Sequence, residues 1–384
     1  MIDSKLKNIG TSIFAVMTKL ANEKNALNLS QGFPDFDISP NLIELVNHFM
    51  KSGKNQYAPM PGIPELRNMI SKKIESLYNC KYNFEDEITI TAGATQALYT
   101  AISLLIKPGD EAIIFEPAYD SYAPSVIANG GKSVFISLEP PEFNIPWEKV
   151  RSSVTERTKL IILNSPHNPT GAIINSDDIK ELEEIVREKN IFIISDEVYE
   201  HIVFDERKHI SICESDILRK SSFIISSFGK TFHTTGWKIG YCSAPKLLTD
   251  EFRKLHQFIV FAVNTPIQYA YAEYLKDEKN YLEVNNFYQK KRDYFLSLIK
   301  DSKFKPLESK GTYFQLLDYS QISDKNDYDF SIELIDKAGI AVIPLSPFYS
   351  EQNKNKLIRI CFAKRDEVLQ EAAQKIKNYE YNKI

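Results

Sequence analysis

Side chains with reactive groups follow three β-rich runs of the sequence. Asp196 and Tyr199 come after one run, Asn168 after another and Lys230 after a third. Amine, carboxylate and phenol groups are the types that proteins use for covalent and acid–base catalysis. A lysine at a strand end can also be a solvated loop cation, and Asp, Asn and Tyr also favour capped turns. The positions therefore indicate a candidate site, with ordinary strand-end loops as the alternative.

Two further features concern the recognition of charge. Gly93, Ala94 and Thr95 open a predicted helix, where free backbone N–H groups and the helix dipole favour an anion. Arg359 stands between two isoleucines in a short β-rich run, so its side chain is expected on the opposite face from both. That face could be an ordinary solvated one. A turn of small residues such as Gly93 to Thr95 is likewise weak evidence for an anion site when it stands alone.

The elements that must position these residues alternate in type from about residue 87 onward. Short β-rich runs alternate with helix-length amphipathic segments, and this alternation predicts an α/β fold with a mainly parallel sheet. Seven strands are expected, at residues 88–91, 111–115, 133–137, 159–164, 191–195, 223–227 and 238–242. Ligands of such sheets bind beyond the carboxyl ends of the strands, so the reactive residues are expected to meet there.

The predicted helices and the later strands suggest two domains. Helices are expected at residues 94–106, 121–128, 176–189, 246–261 and 279–300. A change of pattern follows, with strands at 312–317, 340–343 and 356–363 and helices at 327–338 and 365–378. We expect a large domain of residues 41–290 and a small α+β domain formed by residues 1–40 and 291–384.

Composition excludes several classes of protein. The 384 residues are 43% hydrophobic and 26% charged, enough to bury a large core. The net charge of −4 and the lack of a basic run argue against nucleic acid as a partner. No apolar run approaches the roughly 20 residues that span a bilayer, and the four cysteines lie far apart without a C-x-x-C pair. We therefore expect a cytoplasmic protein with no metal, membrane or nucleic-acid partner.

A set of motifs spread along the chain carries a family resemblance. The motifs are NLSQGFPDFD (28–37), NQYAPMPGIPELR (55–67), TAGATQALY (91–99), EPAYDSY (116–122), NSPHNPTG (164–171), SDEVYE (195–200), SSFGKTFHTTGWKIGY (226–241) and RICFA (359–363). Together they resemble the class I/II aminotransferases, which are pyridoxal-phosphate enzymes of fold type I. Within that family, NQYAPMPG and SSFGKTFHTTGWK are most similar to the methionine aminotransferases and the related kynurenine/glutamine aminotransferases.

The resemblance implies roles around the cofactor ring. Lys230 is expected to form the internal aldimine with pyridoxal 5′-phosphate and later to move the proton at the substrate Cα. Asp196 is expected to pair with the pyridine nitrogen, which keeps the ring able to accept electron density. Tyr199 and Asn168 are expected to hydrogen-bond the ring oxygen O3′, and Tyr119 to stack on the ring face.

The resemblance also implies a phosphate site and a dimer. Phosphate ligands are expected at Gly93, Ala94, Thr95, Ser227 and Lys238. Much of the wider superfamily has Arg at the position of Lys238, so an ammonium point charge here replaces a planar guanidinium group. Tyr57 resembles the residue that reaches the phosphate from the other subunit. This implies a homodimer with shared active sites.

The substrate is expected to bind through its α-carboxylate. The resemblance makes Arg359 the bidentate clamp, a task suited to a planar guanidinium, with Asn168 and the Gly32 backbone N–H assisting. No second cation for a dicarboxylate stands out. Aromatic residues in or near segments that border the family's pocket favour an apolar side chain, and they are Phe33, Phe36, Phe261 and Phe314. Methionine is favoured by the resemblance, while Phe, Tyr, Leu, Gln and kynurenine stay open.

Three alternatives compete with a ping-pong aminotransferase that passes nitrogen from an amino acid to a 2-oxo acid. A pyridoxal-phosphate β-lyase of the cysteine-conjugate type would use nearly the same residues, and only its products distinguish it. A non-catalytic binding module is disfavoured because the chain has no basic face. A dinucleotide-dependent oxidoreductase is disfavoured because no G-x-G-x-x-G opens a helix after the first strand.

Overall fold

The computed structural model describes residues 3–7, 9–351 and 354–381, and its centre is a seven-stranded sheet. The strands are β1 Leu27–Asn28, β2 Ile88–Thr91, β3 Glu111–Glu116, β4 Lys132–Ser137, β5 Thr158–Asn164, β6 Phe192–Asp196, β7 Ser222–Ser227, β8 Gly240–Ser243, β9 Lys305–Pro306, β10 Phe314–Asp318, β11 Ile340–Ala341, β12 Ile343–Pro344 and β13 Leu357–Cys361. The large sheet has the order β2-β8-β7-β6-β5-β3-β4. Only β8 runs antiparallel to its neighbours, so the predicted mainly parallel α/β fold is confirmed.

Helices cover both faces of this sheet. The α-helices are α1 Ile13–Glu23, α2 Pro40–Lys51, α3 Pro64–Tyr78, α4 Ala94–Leu105, α5 Tyr122–Ala128, α6 Trp147–Ser153, α7 Ser176–Lys189, α8 Asp216–Arg219, α9 Phe228–Thr231, α10 Lys246–Ile259, α11 Thr265–Tyr274, α12 Lys279–Leu282, α13 Val284–Ile299, α14 Asp327–Glu333 and α15 Asp366–Tyr381. None of the described helices is long and apolar enough to cross a membrane.

Pairs of isoleucines explain why the central strands are buried on both faces. Such pairs occur at residues 113–114, 161–162, 193–194 and 224–225. Successive side chains of a strand point to opposite faces, and the two members of each pair lie in two different hydrophobic cores. One core includes residues of α3, α7 and α11, and the other includes residues of α4, α5 and α10. This is the near-continuous apolar pattern that parallel strands need.

Two smaller sheets lie outside the large one. An antiparallel sheet has the order β12-β13-β10-β9, and β1 pairs in parallel with β11. The β1–β11 pairing joins the N-terminal part of the chain to its C-terminal part. The domain boundaries at residues 40 and 290 stay a prediction.

Several predicted elements differ from the observed ones. The strand expected from residue 238 begins at Gly240, because Lys238 has a left-handed backbone (φ 55°) and follows a short 3₁₀ turn, Thr235–Trp237. The helix expected at 279–300 is divided into α12 and α13 at Glu283. The strand expected at 340–343 is two short strands in different sheets. The predicted helices do not include α2, α3, α6 and α11, nor the one-turn helices α8 and α9.

Candidate active site

A cavity of about 260 Å³ lies at the carboxyl edge of the large sheet. Its walls include eleven of the thirteen residues that the sequence proposed for the site. They are Gly32, Gly93, Ala94, Thr95, Tyr119, Asn168, Asp196, Tyr199, Ser227, Lys230 and Lys238. The remaining two, Tyr57 and Arg359, do not line it.

Strand direction explains why residues so far apart in sequence meet here. Asn164, Asp196 and Ser227 are the last residues of the neighbouring parallel strands β5, β6 and β7. The antiparallel strand β8 begins just after Lys238, so its amino end lies at the same edge. The loop that carries Tyr119 follows β3, which is parallel to β5.

Lys230 is a half-buried residue on the one-turn helix α9. Its Nζ lies 5.6 Å from the centre of the Tyr199 ring and 5.7 Å from that of Tyr313. Burial lowers the pKa of Lys230 to about 8, with the nearby carboxylate of Asp196 acting in the opposite direction. Arg359 is a further cation that lowers this pKa. A sizeable part of the amine is therefore unprotonated near neutral pH.

Asp196 is a buried carboxylate held on both oxygens. Its Oδ2 accepts a 2.6 Å hydrogen bond from the Tyr122 hydroxyl, and its Oδ1 accepts a 3.3 Å bond from the Val198 amide. Burial raises the pKa of Asp196 to about 6, and the Tyr122 bond opposes that rise. The sequence interpretation assigned no role to Tyr122, although it is part of the EPAYDSY motif and lines the cavity.

A chain of amide contacts joins the sheet edge to Arg359. The Asn164 Nδ2 donates to the backbone oxygen of Asp196 at 2.8 Å, and the Asn164 Oδ1 accepts from the Asn168 amide at 2.8 Å. The Asn168 Oδ1 in turn accepts from Nη1 of Arg359 at 2.8 Å. Arg359 therefore lies behind Asn168 and is positioned by it.

The Arg359 guanidinium is enclosed but lacks an acidic partner. Its Nη2 donates to the Ser30 backbone oxygen at 3.1 Å, and its Cζ lies 3.9 Å from the centre of the Phe314 ring. Within the described residues it forms no ion pair, and its buried Nε has no hydrogen-bond partner. Burial lowers the pKa of Arg359 to about 10. A buried cation without a counter-ion is costly, so the site favours an added carboxylate.

The start of α4 and Lys238 form a positively polarised corner. Gly93 precedes α4 with φ 77°, and no side chain caps the free amides of the first turn. A Cβ at Gly93 would stand 3.4 Å from Cε of Lys238 and 3.5 Å from its Nζ. The left-handed backbone of Lys238 is of the kind that clusters at functional sites. This corner has the donors and charge that an anion requires.

Tyr119, Tyr199 and Gly32, which also line the cavity, each contact a different neighbour. Tyr119 places its hydroxyl 3.5 Å from the Thr95 hydroxyl. The Tyr199 ring packs edge-on against Tyr313, with centroids 5.2 Å apart, and the Tyr313 hydroxyl donates to the Gly32 backbone oxygen at 2.7 Å. Sequence interpretation missed Tyr313, which is buried next to Phe314 and is recognisable only once β10 is seen beside the cavity.

Of the four phenylalanines expected near the substrate, only Phe33 lines the cavity. Phe36 instead packs against Phe287, and Phe314 covers Arg359. Phe261 is 55% exposed and contacts Tyr57, which is 82% exposed. These two residues lie on the surface of the chain, outside the cavity.

The donors of the cavity fit pyridoxal phosphate. An anionic group fits the corner at Gly93 and Lys238, a protonated ring nitrogen fits the Asp196 carboxylate, and an aldehyde can react with the Lys230 amine. The fit depends on the chemistry of these groups.

Known proteins are similar to this chain over nearly its whole length. The model of the family described as aminotransferase class I and II matches residues 24–376. Methionine aminotransferase of Escherichia coli is 45% identical over 375 residues, which cover 97% of each chain. A probable N-succinyldiaminopimelate aminotransferase of Mycobacterium tuberculosis is 35% identical over 98% of each chain. A solved E. coli structure described as having a methionine aminotransferase function superimposes with a TM-score of 0.96, at 45% identity, covering 98% of this chain and 99% of that one.

Proposed function

The chain belongs to the aminotransferase class I and II family and is a transaminase of fold type I, and on that premise we propose that methionine is its amino donor. A 2-oxo acid is the acceptor and pyridoxal phosphate the cofactor. Members of this family are pyridoxal-phosphate-dependent, and the cofactor, when bound, supplies an electron sink for negative charge at the substrate Cα.

One observation carries the proposal. A half-buried lysine with a lowered pKa, Lys230, shares a cavity with the buried carboxylate of Asp196 and with an anion-binding corner. Desolvation together with specific charged neighbours is typical of catalytic groups. Lys230 would hold the cofactor through Nζ, and the same amine would move the proton at the substrate Cα.

The other residues hold and orient the cofactor. Asp196 would keep the ring nitrogen protonated, Tyr199 and Asn168 would hydrogen-bond O3′, and Tyr119 would pack on the ring. The phosphate is held by the amides at the start of α4 and by the side chains that line the same corner, namely Thr95, Ser227 and Lys238.

The substrate carboxylate is bound by Arg359. The guanidinium has five N–H donors, and two of them are engaged by Asn168 and Ser30. The others are free to bind two carboxylate oxygens once the enclosing rings give access. Donor and acceptor acids use the same clamp in turn, which is a ping-pong order. Gly32 contributes its backbone N–H.

Methionine is supported by two lines of evidence. The relative at 45% identity is a methionine aminotransferase, and Phe33 gives the cavity mouth an aromatic wall on which a polarizable thioether packs well. Relatives with other named substrates, such as the 35% identical one, are more distant. Kynurenine, glutamine and phenylalanine are the alternative donors, and a β-lyase reaction is the alternative chemistry.

We also propose a homodimer with shared sites. Tyr57 and Phe261 are exposed aromatic residues in contact with each other. A second copy that covers them would bring Tyr57 to the phosphate of the opposite site. The cytoplasmic location expected from the sequence stays a prediction.

The test is a single half-reaction. Purified protein loaded with pyridoxal phosphate is mixed with L-methionine without an acceptor acid, and its visible spectrum and the released acid are measured. We expect loss of the visible band and one equivalent of the 2-oxo acid of methionine per site. Pyruvate and ammonia from a cysteine conjugate would instead favour the lyase. A Lys230→Ala control gives no turnover, and a wild-type protein that binds no cofactor would refute the proposal.

A further inference from the structure

The strongest polar contact of Asp196 comes from a residue that the family resemblance did not single out. Tyr122 opens helix α5, and its hydroxyl donates to Oδ2 of Asp196 at 2.6 Å across 74 positions of sequence. Both side chains are buried. The Tyr122 ring also packs edge-on against Tyr119, with ring centroids 5.6 Å apart.

The two carboxylate oxygens of Asp196 have different hydrogen-bond partners. Tyr122 engages Oδ2 at a short distance, while the one contact to Oδ1 in the described chain is the longer 3.3 Å bond from the Val198 amide. A short bond from O–H to a carboxylate is of the strong, charge-assisted kind. It fixes the orientation of the group and leaves Oδ1 the less engaged oxygen.

The other charged and titratable groups around Asp196 do not provide such a bond. Lys230 faces it from α9 and Glu197 follows it in the chain, the first favouring and the second opposing a charged carboxylate. The hydroxyls of Tyr119 and Tyr199 belong to the same surroundings. Tyr122 is the side chain that hydrogen-bonds the carboxylate directly.

We propose that Tyr122 is a positioning residue of the transamination, whose hydroxyl orients the Asp196 carboxylate and keeps it charged toward the ring nitrogen of the cofactor. This inference rests on the proposed function. Tyr122 acts through Asp196, so its effect requires that carboxylate.

The sign of the effect follows from the charges. Burial raises the pKa of Asp196, and the hydrogen bond from Tyr122 lowers it. Removing the hydroxyl therefore makes Asp196 easier to protonate. A neutral Asp196 no longer stabilises a protonated ring nitrogen, so the ring nitrogen loses its proton at a lower pH.

The test compares Tyr122→Phe with a matched control, Tyr379→Phe. Tyr379 is also buried and donates to a carboxylate, Oε1 of Glu333 at 3.0 Å, but it lies on α15. Each holoenzyme is prepared with cofactor labelled with ¹⁵N in the ring, and the nitrogen resonance is followed against pH. The thermal midpoint, kcat and KM are measured as well.

We expect Tyr122→Phe to move the ring-nitrogen titration down by about one pH unit or more. We expect kcat to fall roughly tenfold to a hundredfold, with a smaller change in KM, while Tyr379→Phe leaves both unchanged. In an Asp196→Asn background, Tyr122→Phe should lower kcat little further, because both substitutions disrupt the same hydrogen-bonded pair.

The outcomes separate the inference from the proposed function. A Tyr122→Phe holoenzyme with an unchanged nitrogen titration overturns the inference even if kcat falls. If Tyr122→Phe does not fold, a ring-fluorinated tyrosine at position 122 keeps the shape with a stronger donor, and the titration must then move up. A wild-type protein without bound cofactor would remove both the proposed function and this inference.

Discussion

Burial controls the chemistry of the Lys230 amine. Its pKa is lowered from the ordinary value of 10.5 to about 8, and only the unprotonated amine reacts with an aldehyde. We expect the rate at which the apoprotein captures pyridoxal phosphate covalently to rise with pH and to level off above about pH 8. Stopped-flow absorbance from about pH 6 to about pH 10 measures this rate.

The control for this prediction is Lys230→Ala, which should bind the cofactor without a borohydride-reducible bond. Lys220→Ala, at an exposed lysine, should behave as wild type. A rate that keeps rising to the ordinary lysine value would mean that Lys230 is not shielded from water as the structure indicates.

Arg359 can be compared with a second, half-buried arginine that also lacks an ion pair among the described residues. Arg253 also donates to uncharged acceptors, namely the Thr89 hydroxyl and the backbone oxygens of Glu85 and Ile88. Neither arginine lines the cavity, but Arg359 donates to the lining residue Asn168, whereas none of these partners of Arg253 lines it. We expect Arg359→Lys to raise KM for methionine by roughly tenfold to a hundredfold, because one ammonium cannot replace two parallel hydrogen bonds.

Arg253→Lys should leave KM for methionine unchanged, and neither substitution should change the cofactor dissociation constant more than slightly. Steady-state kinetics and equilibrium dialysis measure the two quantities. Equal effects of the two substitutions on KM would show that Arg359 acts through stability and does not contact the carboxylate.

Individual site residues were predictable where a motif and a strand end coincide. Lys230 and Asp196 are such residues, and the structure brings both to one cavity. Tyr122 and Tyr313 were not assigned roles, because their contacts join segments far apart in sequence. With 20 tyrosines in the chain, residue type alone gives no way to choose among them.

At the scale of elements, strands were predicted better than helices. Paired isoleucines mark the central strands whatever their neighbours are. By contrast, α2 and α3 both have proline at the first helical position, where proline suits a helix start but is easily interpreted as a turn. The antiparallel direction of β8 also left no local signal, because direction depends on the connections of the whole sheet.

The start of α4 allows a test at this scale. Gly93 and Gly109 both have positive φ, 77° and 92°, but a Cβ at Gly93 would contact Lys238 whereas one at Gly109 would contact nothing. We expect either change to Ala to cost about 1 kcal/mol of unfolding free energy from backbone strain. Only Gly93→Ala should also weaken cofactor binding, by about tenfold or more.

Chemical denaturation measures the free energy of unfolding, and equilibrium dialysis measures cofactor binding. Gly109→Ala supplies the correction for backbone strain alone. Equal cofactor affinities in the two variants would show that the corner formed by α4 and Lys238 is not the phosphate site.

At the scale of the whole molecule, several aromatic side chains remain exposed on the surface. Phe258, close to the end of α10, is 86% exposed, and Tyr57 and Phe261 contact each other on the surface. Exposed apolar patches of this kind mark interaction surfaces. A two-fold dimer would use the same patch on both copies, and each Tyr57 would then belong to the site of its partner.

Subunit complementation tests this arrangement. Lys230→Ala and Tyr57→Ala each remove activity at limiting cofactor, but a mixed dimer contains one site with both residues intact if Tyr57 crosses the interface. Co-expression of the two variants with different tags should therefore restore about a quarter of wild-type activity in the unsorted mixture. The control pair is Lys230→Ala with Arg359→Lys, which affect one site within the same protomer and should give no activity beyond that of the Arg359→Lys protein itself. Recovery by both pairs, or by neither, would contradict a site to which Tyr57 comes from the second copy.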